Sequence, residues 1–314
     1  MSQKKFTFGY FYYPPPSKEL FLKTVRRAED LGFEKLFLGD HALLNMSPLP
    51  ALLAAANATK ILRVGTSLLG NDFYNPLWLA REVATLDMLT DGRFDFGIGT
   101  GWFSWDYQAY GIALDPPMTR IRRLGEAVKI FKQFFNEEKV EFSGKFYQVK
   151  ADNPQPKTIQ RPFPITMGGG GKNMLSLAAR EADTISINIL TTPQGWVDST
   201  TITREKTEQK IDWIRQAAGE RLGKIYLSIH FQVIKILDSQ SQVEDFAAKN
   251  ISESPLTEAL STSEYLASPH LLVGSENFLI EKILELRETL GISDLVFWEP
   301  MEDGARLVHK LNGM

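Results

Sequence analysis

The chain contains no cysteine among its 314 residues. Disulfides, thiolate metal ligands and cysteine nucleophiles are therefore excluded, and a reducing cytoplasm is the location we expect. The sequence also lacks an apolar run of the roughly 18 residues that a membrane-spanning helix needs. Its start, residues 1–6, is short and polar where a signal peptide would have an apolar core. We expect neither membrane insertion nor export.

Neither sign of charge is in large excess. Lys and Arg number 35 against 38 Asp and Glu, which gives a formal net charge of -3. Such a balance creates no positive field that would gather nucleic acid or an anionic membrane, so the expected partner is a small molecule. The four histidines do not have the spacing of two His and a carboxylate that a metal site requires, and we predict no metal. Hydrolase motifs such as Gly-x-Ser-x-Gly are missing as well.

Strand-like and helix-like segments alternate along the chain. Eight short apolar segments predict strands at 6–11, 34–39, 61–67, 94–98, 164–167, 184–189, 225–233 and 294–298. Amphipathic stretches between them predict helices, with Ser17 and Asn75 among the capping residues. Near-continuous apolar strands separated by helices predict a parallel sheet closed into a single (β/α)8 TIM barrel. An open doubly wound sheet is the rival, but no glycine-rich fingerprint follows the first strand.

Two segments interrupt this alternation. Residues 137–163, after the fourth helix, contain a predicted hairpin over 140–149 with a Ser-Gly turn and then a Pro-rich connection. Residues 238–275, after the seventh strand, are polar and rich in Ser, which suits a lid. We interpret both as insertions in one domain that spans residues 1–314.

The loop after the second strand contains the first candidate for chemistry, because the active site of a barrel lies on the loops that follow its strands. His41 is the candidate proton donor or acceptor there, and Asp40 precedes it as the group that would orient or charge it. An equally open alternative is that the two side chains only cap backbone groups.

Glycines follow two other strands. A run of four precedes a predicted helix, where free N–H groups at the positive end of the helix dipole suit a phosphate ester; these are Gly168, Gly169, Gly170 and Gly171. A tightly packed or flexible turn is the alternative. After the fourth strand, Gly99, Thr100 and Gly101 would let a flat ring lie against the backbone.

Two aromatic residues continue that second glycine loop. Trp102 and Phe103 would form walls of the pocket, or else pack under the helix that follows.

Three segments of the sequence resemble the luciferase-like monooxygenase superfamily. They are 64–66 together with 75–102, the segment 164–183 with its glycine run, and 272–276 before the final helix. The first is long and specific, and the resemblance extends over essentially the whole chain. It implies a TIM barrel that binds reduced FMN, or in one branch the deazaflavin coenzyme F420, at the carboxyl ends of the strands.

The resemblance also implies roles for particular residues. Asp40 and His41 match the site pair after the second strand, with His41 near the ring system. Ser67 and Leu68, which follow Thr66, match the place where many members have a non-prolyl cis peptide under the ring. Further cofactor contacts are implied at Gly99, Thr100 and Gly101, phosphate contacts at Gly168 to Gly171, and substrate contacts at Tyr12, Trp102 and Phe103.

Departures from the family pattern bear on the substrate. Sugar-phosphate dehydrogenases of the family have Glu where Trp102 stands, so a small apolar or aromatic substrate is predicted here. Asp106 stands where many members have Glu, and Asn75 where many have His.

The predicted function is a flavin-dependent monooxygenase that uses O2 and reduced FMN from a separate flavin reductase. F420-dependent hydride transfer is the alternative, and a non-catalytic flavin-binding barrel is an alternative of another class. By analogy with the family, we expect a homodimer formed through the second and third helices.

Overall fold

The computed structural model describes residues 4–192, 194 and 196–314, and its central feature is a ring of eight strands. In chain order these strands are β1 (Thr7–Phe11), β2 (Lys35–Leu38), β3 (Arg63–Thr66), β4 (Phe94–Gly99), β5 (Ile165–Gly169), β6 (Thr184–Ile187), β7 (Tyr226–Phe231) and β8 (Ile292–Phe297). A helix follows each strand: α1 (Lys18–Asp30), α2 (Pro48–Ala58), α3 (Pro76–Leu89), α4 (Pro117–Asn136), α5 (Lys172–Glu181), α6 (Arg204–Ala218), α7 (Glu276–Glu285) and α8 (Met301–Leu311).

Every strand pairs in parallel with the next strand along the chain. The last strand, β8, returns to β1, with Thr7 opposite Asp294 and Tyr10 opposite Phe297. The sheet is therefore closed, which confirms the predicted (β/α)8 barrel. Because all eight strands run in the same direction, their carboxyl ends meet at one rim, and the loops there can act on one ligand.

Along the strands, apolar side chains that face the helices alternate with polar side chains that face the barrel interior. The sequence predicted near-continuous apolar strands and did not predict this alternation. In β7, Leu227 and Ile229 belong to the core between the sheet and the helices, whereas Ser228 and His230 face the barrel interior. The interior has a cavity of about 260 Å³ that extends from the amino ends of the strands up to Ser67 and His230, and most of its lining side chains are polar where branched aliphatic ones would fill a packed core. Small and polar residues inside the barrel thus leave room that a packed core would fill.

An ion pair spans this interior. Lys35 Nζ lies 2.6 Å from Asp294 Oδ1, and the Thr7 hydroxyl also donates to that carboxylate. Burial alone would raise the pKa of Asp294, but Lys35 and the hydrogen bonds outweigh it and hold that pKa below its ordinary value. A carboxyl group whose pKa is lowered in the folded state adds stability above its unfolded pKa and loses it as the pH falls through the folded pKa.

Asp294→Asn is expected to lower the free energy of unfolding by about 3–5 kcal/mol at pH 7, because it leaves the Lys35 ammonium without its charged partner. Urea titrations of both proteins at pH 7 measure this difference. The difference in the free energy of unfolding should become smaller at acid pH, below the usual carboxyl range, because the wild-type carboxyl group also loses its charge there. Equal urea midpoints at pH 7 would show that the pair adds no stability.

Residues 137–163 contain an antiparallel hairpin, Lys139–Ser143 with Gln148–Asp152. Asp87 of α3 binds the connection that follows: its carboxylate accepts the N–H groups of Ile159 and Gln160 at 2.6 and 3.0 Å. This contact holds the Pro-rich segment against α3, on the outside of the barrel.

Residues 238–275, for which the polar composition suggested a lid, form strands and helices that pack together. After β7, the strand Val233–Ile236 pairs in parallel with Leu271–Gly274, and the helices Gln240–Glu253 and Thr262–Ala267 lie between them in the chain. A separate apolar cluster holds these pieces together, and its buried members include Val243, Ala247, Tyr265, Leu271 and Val273. Within the described residues, no helix is both long and apolar enough to cross a membrane.

Candidate functional site

The His41 imidazole, just after β2, pairs with Asp106 at the carboxyl rim of the barrel. His41 Nδ1 lies 2.7 Å from Asp106 Oδ2, and Asp106 Oδ1 accepts the Ala42 N–H at 2.8 Å. Asp106 lies in the short helix Ser104–Tyr110 and is buried, whereas 26% of the His41 side chain is exposed. Since Asp106 occupies Nδ1, Nε2 is the ring nitrogen that can reach a ligand.

Asp40 has a different task from the one that the sequence suggested. Its Oδ2 accepts the Gly70 N–H at 3.0 Å and the Tyr74 hydroxyl at 3.2 Å, so it ties the segment after β3 to the end of β2. Burial raises the pKa of this carboxyl group above its ordinary value, although the two hydrogen bonds oppose the shift. The prediction that Asp40 orients His41 is wrong, because Asp106 does so. Sequence spacing gave no signal for a contact between residues 41 and 106.

The two aromatic residues after β4 pack against His41. Trp102 and Phe103 meet the imidazole edge to face, with ring centroids 5.8 and 5.9 Å away. Trp102 remains 37% exposed. The structure therefore decides between the two readings of the sequence: these rings form one wall beside the candidate acid or base.

The peptide bond between Ser67 and Leu68 is cis, as the resemblance predicted. Leu68 points toward three glycines of the neighbouring strands. A Cβ atom on Gly97 would lie 2.7 Å from Leu68 Cδ2, and one on Gly99 or Gly168 would lie 3.3 Å from Leu68 Cδ1. These glycines therefore make room for the Leu68 side chain at the rim.

The sequence predicted a cofactor contact at Thr66, but its hydroxyl already makes two hydrogen bonds within the protein. Its hydroxyl donates to Gly97 O at 2.8 Å and accepts Gly97 N–H at 2.9 Å, and the side chain is buried. Backbone pairing between β3 and β4 covers only Val64 and Gly65, so the Thr66 hydroxyl continues the connection where the strands separate.

Thr100 and Gly101 form a fixed turn. Gly101 has a φ of +71°, and a Cβ there would lie 2.6 Å from the Tyr107 hydroxyl oxygen. Tyr107 donates to Thr100 O at 2.9 Å, and Arg120 donates to Gly101 O. The glycine is needed for the turn itself, and the turn places Trp102 beside His41.

The four glycines of the run differ in their surroundings. A Cβ on Gly168 would lie 2.6 Å from Ser186 O and one on Gly170 would lie 2.9 Å from Asn188 O, so close packing against β6 requires these two glycines. Gly169 would meet only the flexible side chain of Met174, and Gly171 would meet only Leu190, at 3.7 Å.

Gly171 is also the N-cap of α5, and it offers no side-chain acceptor to the first turn. Helices α2, α4 and α8 also start without such an acceptor, whereas α1, α3, α6 and α7 have a Ser, Asn or Thr cap that accepts an N–H of the first turn. Uncapped N–H groups at a helix start suit a phosphate, so the residues present fit the phosphate end of FMN or F420.

Tyr12 does not lie at the rim. Its hydroxyl donates to Thr24 at 3.2 Å and its ring stacks on Phe21, so it packs outward beneath α1. The next residue, Tyr13, is 48% exposed and meets Trp298 edge to face at 5.7 Å. Tyr12, the predicted substrate contact, thus faces away from the rim, because consecutive residues of an extended segment point to opposite sides.

His230 was missed in the sequence. It lies one residue before the end of β7, and its Nε2 is 3.2 Å from Ser67 Oγ, while Trp298 Nε1 donates to its Nδ1 at 3.0 Å. The predicted strand ran to residue 233 and so placed His230 inside the barrel; an end at Phe231 would have placed it at the rim. No cluster of three potential metal ligands occurs in the described part of the chain.

Comparison with known proteins shows the family to which the chain belongs. The profile of the luciferase-like monooxygenase family matches residues 10–293, and the chain belongs to that family. The F420-dependent glucose-6-phosphate dehydrogenase of Kineococcus radiotolerans is 33% identical over 165 residues, which is 50% of this chain and 48% of that protein. The oxygenase component of the flavin-dependent trigonelline monooxygenase of Acinetobacter baylyi is 31% identical over 42% of this chain and 38% of its own length. The chain thus matches about half or less of the length of these two relatives.

The barrel itself is shared with a solved structure. The F420-dependent tetrahydromethanopterin reductase of Methanopyrus kandleri superposes with a TM-score of 0.73, covering 97% of each chain at 21% identity. At that level of identity the match shows the fold.

Proposed function

We propose that the protein is a flavin-dependent oxidoreductase that binds FMN at the carboxyl rim of the barrel and acts as a luciferase-like monooxygenase. One observation carries the proposal: the rim combines the His41–Asp106 pair, the cis Ser67–Leu68 peptide and the uncapped start of α5. A proton-exchanging side chain, a shaped floor and an anion site are what a ring cofactor with a phosphate tail needs from its protein.

The residues of the rim would divide the work. Reduced FMN, when bound, supplies the electrons for activating O2. His41 exchanges a proton at Nε2 while Asp106 holds its ring through Nδ1. Trp102 and Phe103 cover one side of the imidazole and limit the access of water. The N–H groups at the start of α5 would hold the phosphate.

F420 is the second candidate cofactor, favoured by the F420-dependent relatives in both sequence and fold. In that case O2 is not used, and His41 gives a proton to the substrate or takes one from it at the same nitrogen while hydride is transferred.

Parallel titration of the purified protein with FMN and with F420, followed by fluorescence, tests these proposals. Tight binding of FMN, together with O2 consumption when a flavin reductase and NADH are added, supports the monooxygenase. Tight binding of F420 alone supports the second candidate. Flavin binding without turnover over a panel of substrates would indicate a non-catalytic flavin-binding barrel, and binding of neither cofactor would refute both proposals.

The substrate that we propose is small and apolar or aromatic, because Trp102 stands exposed beside His41. Trp102→Ala is expected to raise KM for such substrates about 10-fold, since it removes a large part of the apolar wall. Steady-state kinetics measure the change. Trp105→Ala is the matched control, because Trp105 is 59% exposed in the adjoining helix and has no ring contact with His41 among the described residues. An unchanged KM for Trp102→Ala would exclude Trp102 as a substrate contact.

We also propose a homodimer formed through α2 and α3, located in the cytoplasm. Ile61, after α2, and Trp78 and Leu89 of α3 leave large apolar side chains exposed, which a second copy would cover. The trigonelline relative is named as an oxygenase component, which supports a separate flavin reductase as a partner. Sedimentation of the purified protein tests the dimer.

A further inference from the structure

Three side chains from three strand ends meet beside the cis peptide. His230 comes from β7, Trp298 follows β8, and Ser67 follows β3. The indole Nε1 of Trp298 is 3.0 Å from His230 Nδ1, and His230 Nε2 is 3.2 Å from Ser67 Oγ. We call this arrangement the Trp298–His230–Ser67 chain.

The tautomer of His230 follows from these contacts. An indole nitrogen can only donate, so His230 Nδ1 must be the acceptor and carries no proton. Burial lowers the pKa of His230 to about 4, so the ring is neutral at pH 7 and has a single N–H. That hydrogen lies on Nε2, and the bond to Ser67 is therefore donated by the imidazole.

The indole cannot turn freely away from His230. Its ring stacks on Phe11 with a centroid distance of 4.7 Å and an interplanar angle of 18°, and Tyr13 meets its edge. Phe11 also meets the imidazole edge to face at 5.7 Å. The aromatic packing of β1 thus holds the donor of the chain in place.

The hydrogen bond from His230 determines what the Ser67 hydroxyl can donate to. A hydroxyl that accepts from His230 has its own hydrogen left to donate elsewhere. The Ser67 N–H already binds Leu38 O at 2.9 Å, which fixes the backbone on the side of β2. The side chain is half-buried, adjoins the cis bond, and so lies where a ligand at the rim can meet it.

We propose that Trp298 and His230 are positioning residues that direct the Ser67 hydroxyl hydrogen toward an acceptor atom, a carbonyl oxygen or a ring nitrogen, of the cofactor ring. This inference rests on the proposed function, because it needs a ring cofactor at the rim. It makes Ser67 a hydrogen-bond donor to that ring.

Ser67→Ala tests the donor directly. The substitution removes one neutral hydrogen bond, so the Kd for oxidised FMN should rise about 3- to 10-fold, and the visible absorption band of the bound flavin should shift. Ser228→Ala is the matched control, since Ser228 also faces the barrel interior but lies lower in β7. It should leave the absorption band in place. If F420 is the cofactor that the wild-type protein binds, the same two readouts apply to F420.

Trp298→Phe tests the positioning step. It removes the indole N–H and keeps an aromatic ring, so His230 should lose its preference for the Nε2–H tautomer, and the absorption band should move part of the way toward that of Ser67→Ala. Nitrogen-15 NMR at pH 7, without any cofactor, reports the tautomer of His230. Trp213→Phe is the matched control, because Trp213 lies in α6 and has no ring contact with His230 among the described residues, and it should change neither readout.

Two results would overturn the inference: an Nδ1–H tautomer of His230 in the wild-type protein, or an unchanged Kd and absorption band in Ser67→Ala. Failure of the wild-type protein to bind either FMN or F420 would overturn the proposed function and, with it, the donor role of Ser67. The cofactor-free NMR result separates these cases, because it decides the orientation of His230 whether or not a cofactor binds.

Discussion

Asp106→Asn is expected to lower turnover about 10²- to 10⁴-fold, with little change in cofactor affinity. The asparagine side chain keeps an oxygen for the Ala42 N–H but has no negative charge to hold His41 through Nδ1. Proton exchange at Nε2 would then take place from a poorly oriented ring. Comparison of kcat with the Kd for FMN or F420 separates this loss from a loss of binding.

Asp40→Asn and Asp106→Glu are the controls for this experiment. Asp40 contacts Gly70 and Tyr74, so its substitution should act on stability more than on kcat. Asp106→Glu keeps the charge, and part of the turnover should return. If Asp40→Asn abolished turnover while Asp106→Asn retained it, Asp40 and not Asp106 would be the carboxylate that orients His41 for catalysis.

Gly97→Ala is expected to destabilise the barrel by about 3 kcal/mol or more, at or above the upper end of the usual cost of overpacking. The added Cβ would lie 2.1 Å from Thr66 O and 2.7 Å from Leu68 Cδ2. The backbone oxygen cannot rotate away, so β3 and β4 must separate where the cis peptide lies. Urea denaturation measures the stability, and an FMN or F420 titration of the folded protein reports the damage to the rim.

Gly223→Ala is the matched control for Gly97→Ala. Gly223 lies in the short turn before β7, and an added Cβ there meets nothing within 4 Å. Its urea midpoint should stay close to that of the wild type. If Gly97→Ala unfolded at the same urea concentration as the wild-type protein, Leu68 and β3 would be able to move aside more easily than their contacts indicate.

The barrel was predictable because its signal is repeated. Each strand and helix pair brings its own apolar pattern and its own turn, so an error of a few residues at one end does not change the count. Such an error does change the site. The end of β7 was placed at residue 233 instead of Phe231, and His230 was overlooked for that reason.

The second source of error was the direction in which an individual side chain points. Tyr12 and Tyr13 are adjacent and chemically alike, yet one packs under α1 and the other lies at the rim. Which of them faces inward depends on the register of β1 against β2 and β8, and composition does not determine that register.

Contacts between distant parts of the chain were the third limit. The sequence indicated His41 correctly as a rim residue, but its carboxylate partner comes from 65 positions further along, in a seven-residue helix. A neighbour in sequence, Asp40, was the simpler choice. The orientation of a short helix in a βα loop decides such a pairing, and no periodic pattern encodes it.

The cavity inside the barrel has a consequence for how the rim can be altered. Ser67 and His230 contribute to the lining of this space of about 260 Å³ as well as to the rim. At about 30 Å³ for each water molecule, there is room for several. The cis peptide therefore lies above a space that can take up water, and substitutions at the amino ends of the strands can change the polarity of that space while every side chain that faces the substrate stays the same.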